Sequence, residues 1–144
     1  MHAVLLAALI GAALSMPAFA DEAGEIEPGD WSLTGESPNS VMFVKPAAAP
    51  EASPYLRVLV RFEERTPFDR RGFASMSSVE INDVDCLEMK TRVLQNSRYT
   101  EHNMRGEERV EKVPAPEWKA EAEGSFGAAI LAAACGGPDD PTRT

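Results

Sequence analysis

The chain has 144 residues and a formal net charge of −9 at pH 7. This length suits a single domain of ordinary size. The acidic balance argues against nucleic acid, and against an anionic lipid surface, as the main partner, because both repel a negatively charged protein.

Residues 1–20 have the pattern of an export signal. An apolar run from Ala3 to Leu14 precedes Ala18-Phe19-Ala20, a small-x-small sequence that is typical of a cleavage site. The run is too short to cross a bilayer, which needs about 20 apolar residues, and no later stretch predicts a membrane span. We therefore expect a signal peptide over residues 1–20, with an N-terminal helix retained in the fold as the alternative.

The residues that follow predict a flexible segment and two short strands. Residues 21–29 are acidic and contain glycine and proline, which predicts a mobile lead-in. A domain over residues 30–136 then begins with one strand at residues 31–34 and a second at residues 41–44, separated by a turn at Ser37-Pro38-Asn39. Residues 45–54 are rich in proline and alanine, and we expect an extended surface loop there.

The clearest strand pattern covers residues 55–64. Apolar side chains occupy every second position, and the positions between them are mostly charged: Leu56, Val58, Val60 and Phe62 alternate with Arg57, Leu59, Arg61 and Glu63. Because successive side chains of a strand point to opposite faces, this alternation predicts one face on a core and the other mostly in water.

Residues 65–72 predict a connection, because they contain a proline and a glycine. The next strand is predicted over residues 73–85. Within it, Val79 and Ile81 have one parity, whereas Val84 has the other. We therefore expect a bulge of one extra residue near Asn82-Asp83, which would return these side chains to one face.

The remaining strands follow at similar spacing. Residues 87–99 predict a strand, and the change of parity at Cys86 predicts either a sharp bend or a second irregularity before it. A turn is expected at residues 103–106, and a final strand at residues 107–113 ends at Pro114. Strands at this spacing, with no helical pattern between them, indicate a largely antiparallel sheet.

The C-terminal part of the chain changes character. Residues 126–135, FGAAILAAAC, carry no charge, so a helix here is stable only if it is buried. Ser125 is a suitable N-cap and Gly136 a suitable C-cap. A helix of about ten residues is marginal by itself and needs support from the sheet. Residues 137–144 predict a polar tail.

Cys86 and Cys135 are the two cysteines of the chain, and we expect them to form a disulfide. Export to an oxidising compartment favours this pairing, which would fasten the helix to the end of a central strand. A redox or metal-binding thiol pair is the alternative. The chain contains no C-x-x-C motif, however, and His102 is the single histidine after residue 20.

Several of these features, taken in order, resemble the bacterial surface-adhesin protein E family. They are Trp31, the segment from Val79 to Cys86, Trp118, and Gly124-Ser125 followed ten residues later by Cys135. The resemblance covers about residues 29–136. It implies an α+β fold, in which a curved antiparallel sheet of about six strands carries a C-terminal helix on one face, tied by the disulfide. It also implies a small exported domain that could form a dimer.

A group of four acidic residues and a single histidine are interpreted as surface features. Paired carboxylates in a cleft or a calcium site would need converging oxygens, and a strand that alternates its faces does not bring them together. His102 is interpreted as polar surface in a turn, with a role as base or ligand as the alternative. We predict no catalytic residues, no metal site and no cofactor. The acidic group is interpreted as a solvated strand face and consists of Glu80, Asp83, Asp85 and Glu88.

The connection at residues 65–72 is the best candidate for contact with a partner. It places an aromatic residue among arginines on an otherwise acidic chain, and binding hot spots favour this combination. The alternative is that Phe68 packs into the edge of the core. The predicted partner-binding residues are Arg65, Phe68, Arg70 and Arg71.

The sequence therefore predicts a non-enzymatic exported protein that binds a protein partner or a second copy of itself. We expect it in the periplasm or at the cell surface of a Gram-negative bacterium. One alternative is a structural component of the envelope. Another is a small enzyme that uses the carboxylates, which would require a deep polar pocket around them.

Overall fold

The computed structural model describes residues 25–136. The predicted signal peptide, the first part of the lead-in and the predicted polar tail lie outside the described residues. The elements are β1 (Ser32–Glu36), β2 (Ser40–Ala47), β3 (Leu56–Arg70), β4 (Phe73–Asp85), β5 (Lys90–Glu101), β6 (Arg105–Lys112), β7 (Lys119–Ala120) and α1 (Phe126–Cys135), with a 3₁₀ turn over His102–Met104.

The strands form one open antiparallel sheet. Each strand from β1 to β6 pairs with the next along the chain, and the short β7 pairs with β5 beside the end of β6. This meander needs only hairpins and short connections. The predicted fold class, an antiparallel sheet with one C-terminal helix tied to it by a disulfide, is confirmed.

Helix α1 covers one face of the sheet, which we call the helix face. Apolar side chains of β2, β3 and β4 form the core there and pack against Ile130 and Leu131 of the helix: they are Met42, Val44, Val58, Val60 and Val84. Ser125 caps the helix, since its Oγ accepts a hydrogen bond from the Ala128 N–H at 3.1 Å. The residue range and N-cap predicted for the helix are both confirmed.

The disulfide joins the last residue of α1 to the turn after β4. Cys86 and Cys135 are bonded, with 5.5 Å between their Cα atoms. Residues 86–89 form this turn, so the sharp bend predicted as one possibility at Cys86 is the correct one. The disulfide therefore attaches the charge-free helix at its C-terminal end, and the Ser125 cap supports its N-terminal end.

Strands β2 and β3 are both longer than predicted. Residues 45–47 belong to β2, where Pro46 lies opposite Val58, whereas they were predicted as part of a loop. Pro46 lies beyond the last pair of β1 and β2, Ser32 with Val44, so β2 is an edge strand at this point and tolerates a proline. The connection predicted at residues 65–72 is shorter than expected, because β3 continues to Arg70 and only residues 71–72 form the turn.

The predicted bulge occurs at the expected place but in the neighbouring strand. Opposite the step from Ile81 to Asn82, the extra residue is Leu94 of β5. The pairing of β3 with β4 is continuous from Leu56–Val84 to Glu63–Ser77. As a result Val79 and Ile81 lie on the face opposite the helix, which we call the back face, and the prediction that they join Val84 is wrong.

The back face of β3 is not mostly in water as the alternation predicted. Arg61 is 1% exposed and Glu63 is 0% exposed. The segment from residue 25 to residue 31 and the 3₁₀ turn lie against these two side chains, and Arg61 Nη1 donates to the Glu27 carbonyl at 2.9 Å. Local periodicity cannot detect this cover, because it comes from parts of the chain distant in sequence.

Candidate functional site

The hairpin that joins β3 to β4 extends past the body of the sheet, and we call residues 65–73 the hairpin tip. Arg70 pairs with Phe73, and the two turn residues between them both have positive φ, 53° for Arg71 and 74° for Gly72. This is the conformation that a tight two-residue hairpin turn requires. The Asp69 carboxylate accepts a hydrogen bond from the Gly72 N–H at 3.2 Å and fixes the turn.

An irregularity in β3 sets the tip apart from the rest of the strand. Between the pairs Glu63–Ser77 and Phe68–Ser75, residues 64–67 of β3 lie opposite Met76 alone. Such bulges bend a strand and change the direction of its side chains. All residues from 65 to 72 are exposed, so the tip is an accessible projection.

Phe68 is the aromatic residue of the tip and is 49% exposed. The guanidinium of Arg98, from β5, lies 5.3 Å from the centre of its ring. Arg98 itself is only 5% exposed, and its Nε has no hydrogen-bond partner within residues 25–136. A buried cation beneath a half-exposed ring holds that ring in place. The alternative prediction, that Phe68 packs into the core edge, does not describe a side chain with this exposure.

The tip carries positive charge on an acidic protein. Arg65 forms an ion pair with Glu36 at the end of β1. Within the described part of the chain, Arg70 and Arg71 form no ion pair with an acidic side chain. Arg109 of β6 lies over the ring of Phe73, 4.4 Å from its centre. Two arginines at the end of the hairpin therefore remain available to an external acidic group.

The four residues predicted for partner contact occupy this tip together. Phe68, Arg70 and Arg71 lie at its end, and Arg65 lies in the irregular part of β3. Sequence reasoning missed Arg98 of β5, which contacts the ring of Phe68, and Arg109 of β6, which contacts the ring of Phe73. No local signal marks those two residues, because only the register of the sheet places them beside the hairpin.

The acidic group on β4 and the following turn is divided between different environments. Asp85 accepts hydrogen bonds from the N–H groups of Leu87 and Glu88 at 3.0 Å, and Glu88 is exposed and pairs with Lys90. Asp83 lies on the back face opposite Arg57, and Glu80 lies on the helix face opposite Val60. The carboxylates do not converge, as expected.

The interpretation of that group as solvated is wrong for Asp83. Its side chain is buried and forms ion pairs with Arg57 at 2.8 Å and Arg92 at 2.9 Å. Burial opposes ionisation, but the two arginines together outweigh it and hold the pKa of Asp83 below its ordinary value. Arg92 also lies over the rings of Tyr55 and Trp118. This group links β3, β4 and β5 on the back face of the sheet.

The same interpretation is only partly correct for Glu80, which is half-buried and faces a cleft beside α1. Burial raises the pKa of its carboxyl group above the ordinary value, and the hydrogen bond from Asn82 offsets only part of that effect. Two side-chain amides donate hydrogen bonds to Glu80: Asn82 Nδ2 of the same strand at 3.4 Å and Asn96 Nδ2 of β5 at 3.2 Å.

The interpretation of His102 as turn surface is also wrong. His102 is 8% exposed, and its Nδ1 lies 2.8 Å from Glu63 Oε2. The other oxygen of Glu63 accepts a hydrogen bond from Arg61 Nε at 2.6 Å. Asn103 links this buried group to the N-terminal segment, since its side-chain amide donates to the Glu25 carbonyl at 2.8 Å. We call Arg61, Glu63, His102 and Asn103 the buried ionic cluster, and its contacts attach residues 25–27 to the back face.

Two further observations concern the residues that the structure describes. Over residues 25–136, no group of three or more histidine, cysteine or acidic side chains is arranged to hold a metal ion. In the same range, no helix has the length and apolar character needed to cross a membrane.

Comparison with known protein families shows to which family the chain belongs. The family model described as surface-adhesin protein E matches residues 31–136. The chain belongs to the surface-adhesin protein E family. Membership in this family, together with the disulfide, indicates an exported, adhesin-like surface protein. No curated protein and no solved structure matches the chain.

Proposed function

We propose that this surface-adhesin protein E member is a non-enzymatic exported protein that binds a protein partner through its hairpin tip, in the periplasm or at the surface of a Gram-negative bacterium. The observation that carries the proposal is Phe68, a half-exposed aromatic ring supported by the buried guanidinium of Arg98 and followed by Arg70 and Arg71. The predicted partner-binding set also includes Arg65.

The composition of the tip favours a protein partner with an acidic surface. Aromatic and arginine side chains are over-represented among the residues that dominate binding energy at interfaces. Arg70 and Arg71 lie next to the ring, so an apolar group of the partner could contact Phe68 while its carboxylates meet the guanidinium groups. Complementary charge raises the association rate and orients the partner.

Support of the ring from beneath reduces the entropic cost of binding. A free phenylalanine side chain must be ordered when a partner binds, at a cost of about 0.5–1.5 kcal/mol for an immobilised side chain. In this protein, Arg98 already contacts the ring of Phe68 in the absence of a partner. The aromatic anchor is therefore partly preorganised.

The test uses purified, disulfide-bonded protein that is immobilised and exposed to envelope extract and to host matrix proteins. The tip variants are Phe68→Ser and Arg70→Glu. Each has a matched control on another part of the surface: Leu33→Ser for the exposed apolar side chain and Lys112→Glu for the charge reversal. We expect each tip variant to weaken capture of the partner about 30-fold, the effect of losing a hot-spot residue, and both controls to retain it.

Retention of every captured partner by both tip variants would overturn the proposal. So would an equal loss of binding in the matched controls, since that result would indicate non-specific adsorption. A tip-dependent partner that is the protein itself, measured by sedimentation, would identify the interaction as a homodimer. Protease treatment of intact cells separates the two locations, because a surface protein is digested and a periplasmic protein is protected.

A further inference from the structure

A cleft of about 470 Å³ lies on the helix face, between α1 and the segment that leads into β7. Its floor is apolar: Phe62 and Phe126 meet with ring centres 5.5 Å apart, and Ile130 and Val93 extend the same surface. The volume falls within the range of small-ligand sites, about 300–1,000 Å³. The cleft is distinct from the hairpin tip, and none of the residues of that tip line it.

The charged side chains that line the cleft are Arg92, Glu117, Lys119, Glu121 and Glu80. Glu80 is a carboxylate on the same face as the hydrophobic core. Its hydrogen bonds come from the neutral amides of Asn82 and Asn96. Within residues 25–136 no lysine, arginine or histidine forms an ion pair with it, although Lys119 and Arg98 are close enough to attract it electrostatically. Glu80 is partly buried, and an anion in such a place whose hydrogen bonds come from neutral donors is an incompletely compensated charge.

A second acceptor beside Glu80, the side-chain oxygen of Asn96, lacks a donor. Asn96 uses its amide nitrogen on Glu80, and its buried Oδ1 has no hydrogen-bond partner in the described part of the chain. Buried oxygens without a donor are uncommon, and each one carries a free-energy cost. Both acceptors would gain from a ligand that brings several N–H donors and a positive charge.

Glu121, the other carboxylate near the floor of the cleft, is already compensated. Its Oε1 accepts a hydrogen bond from Thr91 Oγ at 2.6 Å. Its carboxylate also lies against Gly127 in the first turn of α1, in space that a Cβ at position 127 would occupy, since that atom would be 2.0 Å from Oε2. A carboxylate at this end of a helix is stabilised by the helix dipole. Of these two carboxylates, Glu80 is therefore the one that more needs a cation.

We propose that this cleft binds a ligand that carries a protonated primary amine on an apolar chain. The ammonium group would take the position beside Glu80 and Asn96, and the chain would lie on Phe62, Phe126 and Ile130. This chemistry has two sources, a free alkylamine and a lysine side chain of a protein. Burial, which disfavours the charged form of Glu80 and raises its pKa in the unliganded protein, would be offset by such a cation.

The rim of the cleft is suited to admitting a ligand. Residues 113–121 form it, and this segment is held to β5 at two places: the Val113 N–H donates to the Leu94 carbonyl at 2.9 Å, and the two-residue strand β7 pairs with β5. Val113, Ala115 and Glu117 are exposed there.

The test is a titration of the purified disulfide-bonded protein followed by amide chemical shifts. The probes are n-hexylamine and lysine with blocked backbone termini, and n-hexanol and hexanoate are the controls for the charge. We expect n-hexylamine to shift the amides of Glu80, Thr91 and Gly127. We expect Glu80→Gln, which keeps the shape of the side chain, to weaken binding about tenfold or more, as loss of a hydrogen bond to a charged group does.

Glu88→Gln is the matched control, because Glu88 is exposed outside the cleft, and it should change the affinity by less than about twofold. Val113→Lys, which adds a competing ammonium group at the rim, should also weaken binding. Binding of both amines would indicate that a lysine side chain can be the ligand, and binding of n-hexylamine alone would indicate a free amine. Equal binding of n-hexanol or hexanoate, or equal affinity in Glu80→Gln, would overturn the proposal, as would the absence of cleft shifts with either amine.

Discussion

Replacement of Glu63 by glutamine tests the buried ionic cluster most directly. In the wild-type protein the Glu63 carboxylate accepts hydrogen bonds from Arg61 Nε at 2.6 Å, His102 Nδ1 at 2.8 Å and the Asn103 N–H at 3.1 Å. Glutamine keeps the size and shape of the side chain but removes its charge. The guanidinium of Arg61, which is almost completely buried, is then left without an anion.

The structure allows the magnitude to be worked out. Breaking a buried ion pair by removing one partner costs about 3–5 kcal/mol. Arg61 keeps some compensation, because it donates to the Glu27 carbonyl at 2.9 Å and to Asn103 Oδ1 at 2.7 Å. Its guanidinium also lies 5.1 Å from the ring centre of Phe43. We therefore expect a loss near the lower end, about 3 kcal/mol, out of a domain stability of about 5–15 kcal/mol.

The assay is urea unfolding followed by tryptophan fluorescence. With a urea slope of about 1.5 kcal/mol/M, a loss of about 3 kcal/mol lowers the midpoint by about 2 M. Glu64→Gln is the control, because the neighbouring Glu64 makes a partly exposed hydrogen bond with Ser40, worth about 1 kcal/mol. The double variant Arg61→Met, Glu63→Gln removes both charges and should lose less than the sum of its single variants.

Two results would refute this reasoning about Glu63. One is a loss of less than about 1 kcal/mol in Glu63→Gln, which would mean that water or other groups already solvate Arg61. The other is strict additivity in the double variant. In that case the two charges would not be coupled, and the cluster would not be an ion pair in the energetic sense.

The remaining predictions concern the disulfide and the pH dependence of stability. The variant Cys86→Ala, Cys135→Ala should lose about 4 kcal/mol in the same assay, because the chain-entropy model assigns that value to a closed loop spanning a separation of 49 residues; an unchanged urea midpoint would contradict it. Because the pKa of Glu80 is raised, the folded protein binds a proton at this carboxyl group more tightly than the unfolded chain does. The contribution of this proton to the free energy of unfolding is therefore complete below the ordinary glutamate pKa. It is lost as the pH rises through the pKa of Glu80 in the folded protein. In Glu80→Gln this loss should be absent, and parallel pH profiles of the melting temperature for the variant and the wild type would contradict the assignment.

Several features of the fold could be predicted from short segments. The strict alternation in β3 and the charge-free segment from Phe126 to Cys135 each identify an element by its period, because a strand and a helix repeat over a few residues. Ser125 was predictable as the N-cap because serine is a preferred residue at the position directly before a helix. The pairing of Cys86 with Cys135 needed only their number and the compartment.

The candidate sites were only partly predictable. The segment that contains Phe68, Arg70 and Arg71 was recognisable from its composition, because its members are close in sequence. Its support by Arg98 was not, because the contact depends on the register of β4 with β5. Glu80 was interpreted as part of a solvated strand face, since no local pattern shows that α1 and the segment before β7 form a cleft beside that carboxylate.

The sequence by itself determined the antiparallel sheet, the buried helix and the disulfide, because local periodicity and cysteine chemistry act over short stretches or in pairs. Only the tertiary structure decided which polar side chains are buried. Glu63 is buried because residues 25–31 and the 3₁₀ turn that contains His102 cover the back face, and it remains stable there through an ion pair with Arg61 and a hydrogen bond with His102. Burial of a charge depends on what packs over it, and that information lies in residues distant along the chain.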